Sequence, residues 1–313
     1  MSVVAVVLAL LVAAVNGSND VAKGVATLAG SGVTNYRTAI LWGALTTLAG
    51  GIAAVWWGSA MSKLFSAGVL AIRPTPALAV AVAAGTAGWV GLATLTRLPV
   101  STTHSLVGAL LGAGLLAAPH AVHWPVLAGK VAVPLLASAL AAYGLSALLG
   151  LAAPGGDQSA LRAVVLPLPS LAAAGRRTLT GLHWASAGAV SAARGLPAGV
   201  PPAAVTVAVA VAMLAGALLA GRRVARRLGE DVVALDDAAG LRANLTTALV
   251  GAGAGYGLPM STTHVSTGAI AGTAGARLDR LHARTLRDFA LGWTVTPLVA
   301  GLVAAAVALL LKG

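Results

Sequence analysis

Two kinds of segment carry nearly all the side chains able to do chemistry. The first is Asn16-Gly17-Ser18-Asn19-Asp20-Val21-Ala22-Lys23-Gly24. Of the eight acids, Asp157, Glu230, Asp231, Asp236, Asp237 and Asp279 fall in expected loops, and Asp288 begins the last expected helix. Only Asp20 sits between two apolar runs. A carboxylate within a bilayer costs a few kcal/mol or more unless it is paired or hydrated, which makes Asp20 a functional candidate. Oxygens of Asp20, Asn16, Asn19 and unwound backbone carbonyls could hold a hard cation such as Na+, or Asp20 could carry a proton. The alternative is an internal ion pair with Lys23, three residues on along the same helix face.

The second segment occurs twice. Leu98-Pro99-Val100-Ser101-Thr102-Thr103-His104 returns as Leu258-Pro259-Met260-Ser261-Thr262-Thr263-His264, 160 residues later, with Gly108 and Gly112 matched by Gly268 and Gly272. Proline disfavours helical geometry in the residue before it, so a helix is expected to begin just after each Leu-Pro pair. Ser101 and Ser261 are then N-caps, with Thr102, Thr103, Thr262 and Thr263 in the first turns. The opening N–H groups of a helix lack internal partners and its dipole makes that end positive, so the end attracts anions, and hydroxyls add donors. Two identical termini could grip a small oxyanion from opposite sides. Serine and threonine that merely cap re-entrant helices are the plainer alternative. His104 and His264 could bond a substrate, shuttle a proton or, the commoner role for a buried histidine, brace their own hairpins.

These residues need apolar elements to position them. Spans are expected at 38–58, 77–96, 125–152, 202–220, 238–256 and 288–311, with another in 163–190. Residues 2–15 read as a half-helix that stops at Asn16 and resumes from Val21 to Ser31. No basic region precedes this stretch, which argues against a signal peptide. The connecting loops are short, the longest being 153–162 and 221–237, so the chemistry is expected within the bilayer. The repetition divides the chain into a first membrane repeat (1–152) and a second (163–313) in one integral membrane domain. Such repeats often face opposite ways, with their Gly- or Pro-interrupted segments meeting at the midplane. The expected class is all-α and multi-pass, with two inverted repeats, broken helices and re-entrant hairpins.

Composition excludes other classes. Of 313 residues, 58% are hydrophobic and 9% charged, with a mean hydropathy of +0.91. A soluble domain carries about a quarter charged residues, and a disordered chain is polar. The net charge of +12 does not point to nucleic acid, because the basic residues cluster beside apolar runs. Arg222, Arg223, Arg226 and Arg227 form one such cluster; Arg277, Arg280, Arg284 and Arg287 form another. Both read as the positive-inside signal of cytoplasmic loops, with attraction to anionic lipid as an additional role. Cysteine is absent, so thiolate metal sites are excluded. No nucleotide-binding loop or redox motif is visible, and no cofactor is expected beyond a coupling ion.

The Gly17–Gly24 element followed by two Leu-Pro-x-Ser-Thr-Thr-His segments resembles the PiT (Pho-4) family of inorganic phosphate transporters. The likeness runs over essentially the whole chain, including Ala243-Asn244-Leu245-Thr246-Thr247 before the second hairpin. It implies secondary transport of inorganic phosphate coupled to Na+ or H+ around one central site, in a multi-pass protein of the cell membrane. By the same implication Asn19, Asp20, Ser101, Thr102, Thr103, Ser261, Thr262 and Thr263 are the substrate and ion ligands; from the residues themselves, Asn16 and Asp20 are the expected cation ligands. The family also carries a second Gly-x-Asn-Asp element; here the corresponding stretch, His183 to Pro202, lacks the Asn-Asp pair. Rival readings are a sulfate carrier of the same fold, a passive anion channel and an intramembrane serine hydrolase using Ser101, His104 and Asp20. The last leaves the second Ser-Thr-Thr-His without a task. A homo-oligomer is left open.

Overall fold

A computed structural model describes residues 2–57, 69–71, 75–152, 202–252 and 260–312. The expected span in 163–190, the loop 153–162, the Leu258-Pro259 pair and nearly all of the stretch lacking the second Asn-Asp pair lie outside the described residues. The described chain is all-α. Its helices are α1 (Ser2–Asn16), α2 (Ala22–Gly30), α3 (Tyr36–Trp57), α4 (Pro76–Leu95), α5 (Thr102–Ala117), α6 (Val133–Ala152), α7 (Pro202–Glu230), α8 (Asp237–Ala252), α9 (Thr262–Gly272) and α10 (Ala283–Leu310). Among the described residues, five helical stretches are long and apolar enough to cross a bilayer: Val3–Gly30, Pro76–Leu95, Trp124–Leu151, Val207–Glu230 and Ala283–Leu310. Helix α5, at 16 residues, is too short for an easy crossing, as a re-entrant segment should be.

Three expectations are corrected. The first segment is not a half-helix that stops and resumes: α1 and α2 are joined by a π-helical turn, Gly17–Val21, and the helix is continuous. A π turn takes an extra residue without exposing unpaired backbone to lipid, which a true break would do. A second π segment, Leu127–Ala132, leads into α6. The Arg222–Arg227 cluster is not in a loop, because α7 continues to Glu230. Arginine is a good helix former, and nothing in Gly221–Glu230 stops a helix. Likewise α10 begins at Ala283, so Arg284, Arg287 and Asp288 lie inside it.

Helix starts follow local chemistry. The Oδ1 of Asn35 accepts from Thr38 N (2.9 Å), Thr75 Oγ1 from Leu78 N (3.2 Å) and Asp236 Oδ1 from Ala239 N (2.7 Å). Each satisfies an orphan N–H in the first turn. Helix α4 ends with Leu98 N bonded to Ala93 O (2.8 Å) and Arg97 N to Thr94 O (3.1 Å). This is a Schellman ending, with Arg97 at φ 61° where glycine is usual. It turns the chain directly into Leu98-Pro99 and the start of α5.

Glycines set the packing. A Cβ on Gly108 or Gly112 would overlap the carbonyl oxygens of Pro297 and Gly301 on α10. On Gly268 or Gly272 it would overlap those of Ala139 and Tyr143 on α6. The repeated glycine pairs therefore let each short helix lie backbone to backbone against a long helix from the other part of the sequence. Small-xxx-small spacing serves this purpose where lipid supplies no hydrophobic drive for association. Gly17 and Gly216 do the same between the first helix and α7, against Met213 and Ala14. Replacing Gly112 by Ala should lower stability by about 1–3 kcal/mol, as overpacking does. Gly88→Ala, at a helical position with open space around it, should be neutral or stabilising by up to about 1 kcal/mol. Thermal midpoints of the two variants in detergent check the contrast.

Candidate functional site

Ser101 and Ser261 are N-caps with nearly identical geometry. Their backbones have φ −86°, ψ 114° and φ −83°, ψ 114°, and each hydroxyl accepts from the backbone N–H three residues on, His104 and His264, at 3.2 Å. Each hydroxyl hydrogen stays available to donate elsewhere, because the cap uses the oxygen as acceptor.

The two termini meet. Thr263 Oγ1 donates to the carbonyl of Val100 at 2.7 Å, joining the first turn of α9 to the residue before the cap of α5. The same carbonyl accepts from Lys23 Nζ at 2.7 Å, and that ammonium also bonds Asp20 Oδ1. Asn19 fastens the approach to α5. Its Nδ2 donates to Thr94 Oγ1 (3.0 Å) and Leu98 O (3.1 Å), while its Oδ1 accepts from Val100 N (3.2 Å). Thr102 Oγ1 donates to Asn16 Oδ1 at 2.6 Å. Asn16, Asn19, Asp20, Ser101, Thr102, Thr103, Ser261 and Thr263 are all buried, and Thr262 half-buried. The structure thus gathers the expected site residues into one knot at the ends of α5 and α9. The Asp20–Lys23 pair, weighed in the sequence as an alternative to a cation site, is present.

The histidines lie one turn deeper, with ring centroids 4.8 Å apart. His264 Nδ1 is 2.8 Å from the carbonyl of Leu135; a carbonyl only accepts, so Nδ1 carries a proton, and Nε2 is an acceptor when the ring is neutral. His264 therefore braces its hairpin against α6. Trp293 packs on it at 4.1 Å between centroids. Several buried polar atoms here have no hydrogen-bond partner among the described residues: Asn16 Nδ2, His104 Nδ1, His264 Nε2, Thr267 Oγ1 and Trp293 Nε1. Such atoms are rare in a folded interior.

Sequence reasoning missed Trp293, Thr94 and the Val100 carbonyl. A backbone carbonyl has no sequence signature, and one tryptophan in an apolar span has only a weak one. It also missed a cavity of about 440 Å3 lined by Arg97, Arg222, Arg223, Arg226, Arg227, Glu230 and Asp231. Arg227 pairs with Asp231 and Asp288, each at 3.1 Å, and Arg226 lies over the Tyr36 ring at 5.5 Å. Arg97, Arg222 and Arg223 form no ion pair among the described residues. This positive cavity adjoins the knot: Leu98, next to Arg97, is held by Asn19, and Gly221, next to Arg222, faces the carbonyl of Ser18.

The model of the phosphate transporter family matches residues 16–192 and 176–304. The chain belongs to the phosphate transporter family. It is therefore a multi-pass membrane protein of a transporter family, and its relatives are not enzymes. A "probable low-affinity inorganic phosphate transporter" of Mycobacterium bovis is 30% identical over 322 residues, covering 96% of this chain and 75% of that protein. A Streptomyces halstedii protein of the same description is 32% identical over 146 residues, 46% of this chain and 66% of its own. A "sodium-dependent phosphate transporter" of Toxoplasma gondii is 37% identical over 158 residues, 44% of this chain and 17% of that one. A solved structure titled "The sodium-dependent phosphate transporter" superposes with a TM-score of 0.77 at 22% identity, over 99% of this chain and 98% of that one; it shows the fold.

Arg97 holds a left-handed backbone that costs a non-glycine residue about 1–2 kcal/mol. Arg97→Gly should leave the thermal midpoint unchanged or raise it. Clefts lined with one sign of charge raise the on-rate of opposite charge, so the same variant should slow phosphate capture by at least about threefold at low ionic strength. Initial uptake rates at low and high salt measure this, the difference shrinking as salt rises.

Proposed function

We propose that this chain is a secondary transporter of inorganic phosphate in the cell membrane, working by alternating access and driven by a cation gradient, Na+ or H+ by family resemblance. Phosphate binds between the two Ser-Thr-Thr-His helix starts, with Ser101, Thr103, Ser261 and Thr262 donating to it, Thr102 and Thr263 holding the two starts in place through Asn16 and the Val100 carbonyl, and Asn19 and Asp20 beside it. The single observation that carries this reading is the convergence of both helix starts on the Val100 carbonyl, with unpartnered buried polar atoms around it. Two positive helix ends and free hydroxyl donors suit a small oxyanion. The two repeats, 1–152 and 163–313, each supply one start, so rocking one repeat against the other opens the site to one side at a time.

Phosphate is favoured over sulfate for a specific reason. At neutral pH phosphate keeps a proton to donate, and His264 Nε2, an acceptor when the ring is neutral, has no partner among the described residues. Sulfate has no proton to offer and leaves that acceptor unsatisfied, which is penalised in a buried site. The basic cavity of Arg97, Arg222 and Arg223 serves as the electrostatic approach to the site.

Hydrogen bonds to a charged group contribute about 1.5–3 kcal/mol each. The double variant Ser101→Ala, Ser261→Ala should therefore raise the apparent KM for phosphate by at least about tenfold. The assay is uptake of labelled phosphate into proteoliposomes, with sulfate as competitor. Sulfate in large excess should inhibit little; a variant with unchanged KM and rate would exclude the two-terminus site.

A further inference from the structure

We infer that Lys23 is a resident cation: its ammonium occupies the position a coupling Na+ would take, so that phosphate transport by this chain does not depend on Na+. The inference rests on the phosphate-transport reading and narrows its driving ion.

The oxygens available beside the knot are those a hard cation would seek, a carboxylate from Asp20 and a main-chain carbonyl from Val100. Lys23 Nζ bonds both. The side chains are 0% and 4% exposed for Lys23 and Asp20, so the ammonium is enclosed with its counterion. A Na+ at the same oxygens would sit beside a fixed positive charge in a low-dielectric interior, where like charges repel strongly. The residues present therefore do not fit Na+ while Lys23 is charged. The position also explains why a cation is needed there. Asp20 bare would repel phosphate, and neutralising it makes the neighbouring helix starts a net positive place. A cation recruited from solution achieves this only when bound, and that dependence is what couples the two fluxes. A tethered ammonium is always present, so the coupling to Na+ is lost and the proton remains as the driving ion.

The π turn supports this geometry. Asp20 belongs to Gly17–Val21 and Lys23 to the first turn of α2, so the pair spans the junction between two helical forms. The Val100 carbonyl that receives the ammonium also receives Thr263. The cation's charge is thus felt at both helix starts at once.

The test compares the wild-type chain with Lys23→Ala, which opens space beside Asp20, and Lys23→Gln, which keeps a polar side chain but not the charge. Phosphate uptake into proteoliposomes is measured with a proton gradient, in Na+ and in choline media. Thermal midpoints of the same proteins without phosphate are measured in NaCl and in choline chloride. Wild-type uptake should differ by less than about twofold between media, and uptake by Lys23→Ala should rise at least about fivefold when Na+ replaces choline. Na+ should raise the midpoint of Lys23→Ala and leave that of the wild type unchanged, with Lys23→Gln behaving like Lys23→Ala. Wild-type uptake that requires Na+, a wild-type midpoint raised by Na+ over choline, or folded variants indifferent to Na+ would each overturn the inference. If neither variant folds, the wild-type arms decide it. If the wild type moves no phosphate under any gradient, the phosphate reading fails and the midpoints still decide whether Lys23 fills the cation position.

Discussion

A polar backbone inside a bilayer must find its partners within the protein, and the carbonyl of Val100 shows how this chain meets that demand. It lies just before the cap of α5, where a main-chain acceptor would otherwise be orphaned. One hydroxyl from the start of α9 and one ammonium from the start of α2 satisfy it. The solution ties three parts of the sequence, near residues 23, 100 and 263, at a single atom. Removing Lys23 takes the ammonium from the buried carboxylate of Asp20, and breaking a buried pair in this way costs more than the pair contributes when made.

Around that point, small residues and a π turn let helices come close enough for the bonds to form. The glycine pairs of α5 and α9 bring those short helices against the backbones of α10 and α6. Close contact leaves little slack, so each cap is held from behind by a rigid surface. The π turn at Gly17–Val21 keeps the first helix continuous while presenting Asn19 toward the approach to α5 and Asp20 toward Lys23. Asn19 alone uses both ends of its amide to fix the segment Thr94–Val100. The site is built almost wholly from uncharged donors and acceptors. Its one buried ion pair, among the described residues, neutralises the acid that would otherwise oppose an anion.

Much of this was legible because it depends on local chemistry. A proline followed by Val-Ser-Thr-Thr dictates where α5 starts and which side chain caps it, and the same holds at Ser261. The repetition of that run alone signals two matching helix starts. The Asp20–Lys23 pair was visible as an i,i+3 spacing, though spacing alone could not decide between an ion pair and an open cation site. Features set by distant packing were not legible. The turn at Gly17 became π-helical where the first helix lies against Met213 of α7, a contact between residues nearly 200 apart in sequence. Arginines 222–227 looked like a loop because charge beside an apolar run suggests the end of a span; instead they extend the helix and line a cavity with Arg97. The role of Val100 was hidden because its side chain takes no part in it.

The central claim is that the two capped helix starts face one phosphate together. The chain contains no cysteine, so single cysteines at Thr102 and at Thr262 provide clean reporters of that space. The most direct measurement is the rate at which a small thiol reagent modifies each variant in proteoliposomes as phosphate is titrated. The account predicts that phosphate protects both positions over the same concentration range, with sulfate much less effective. Protection at only one position, or at two clearly different phosphate concentrations, would contradict it.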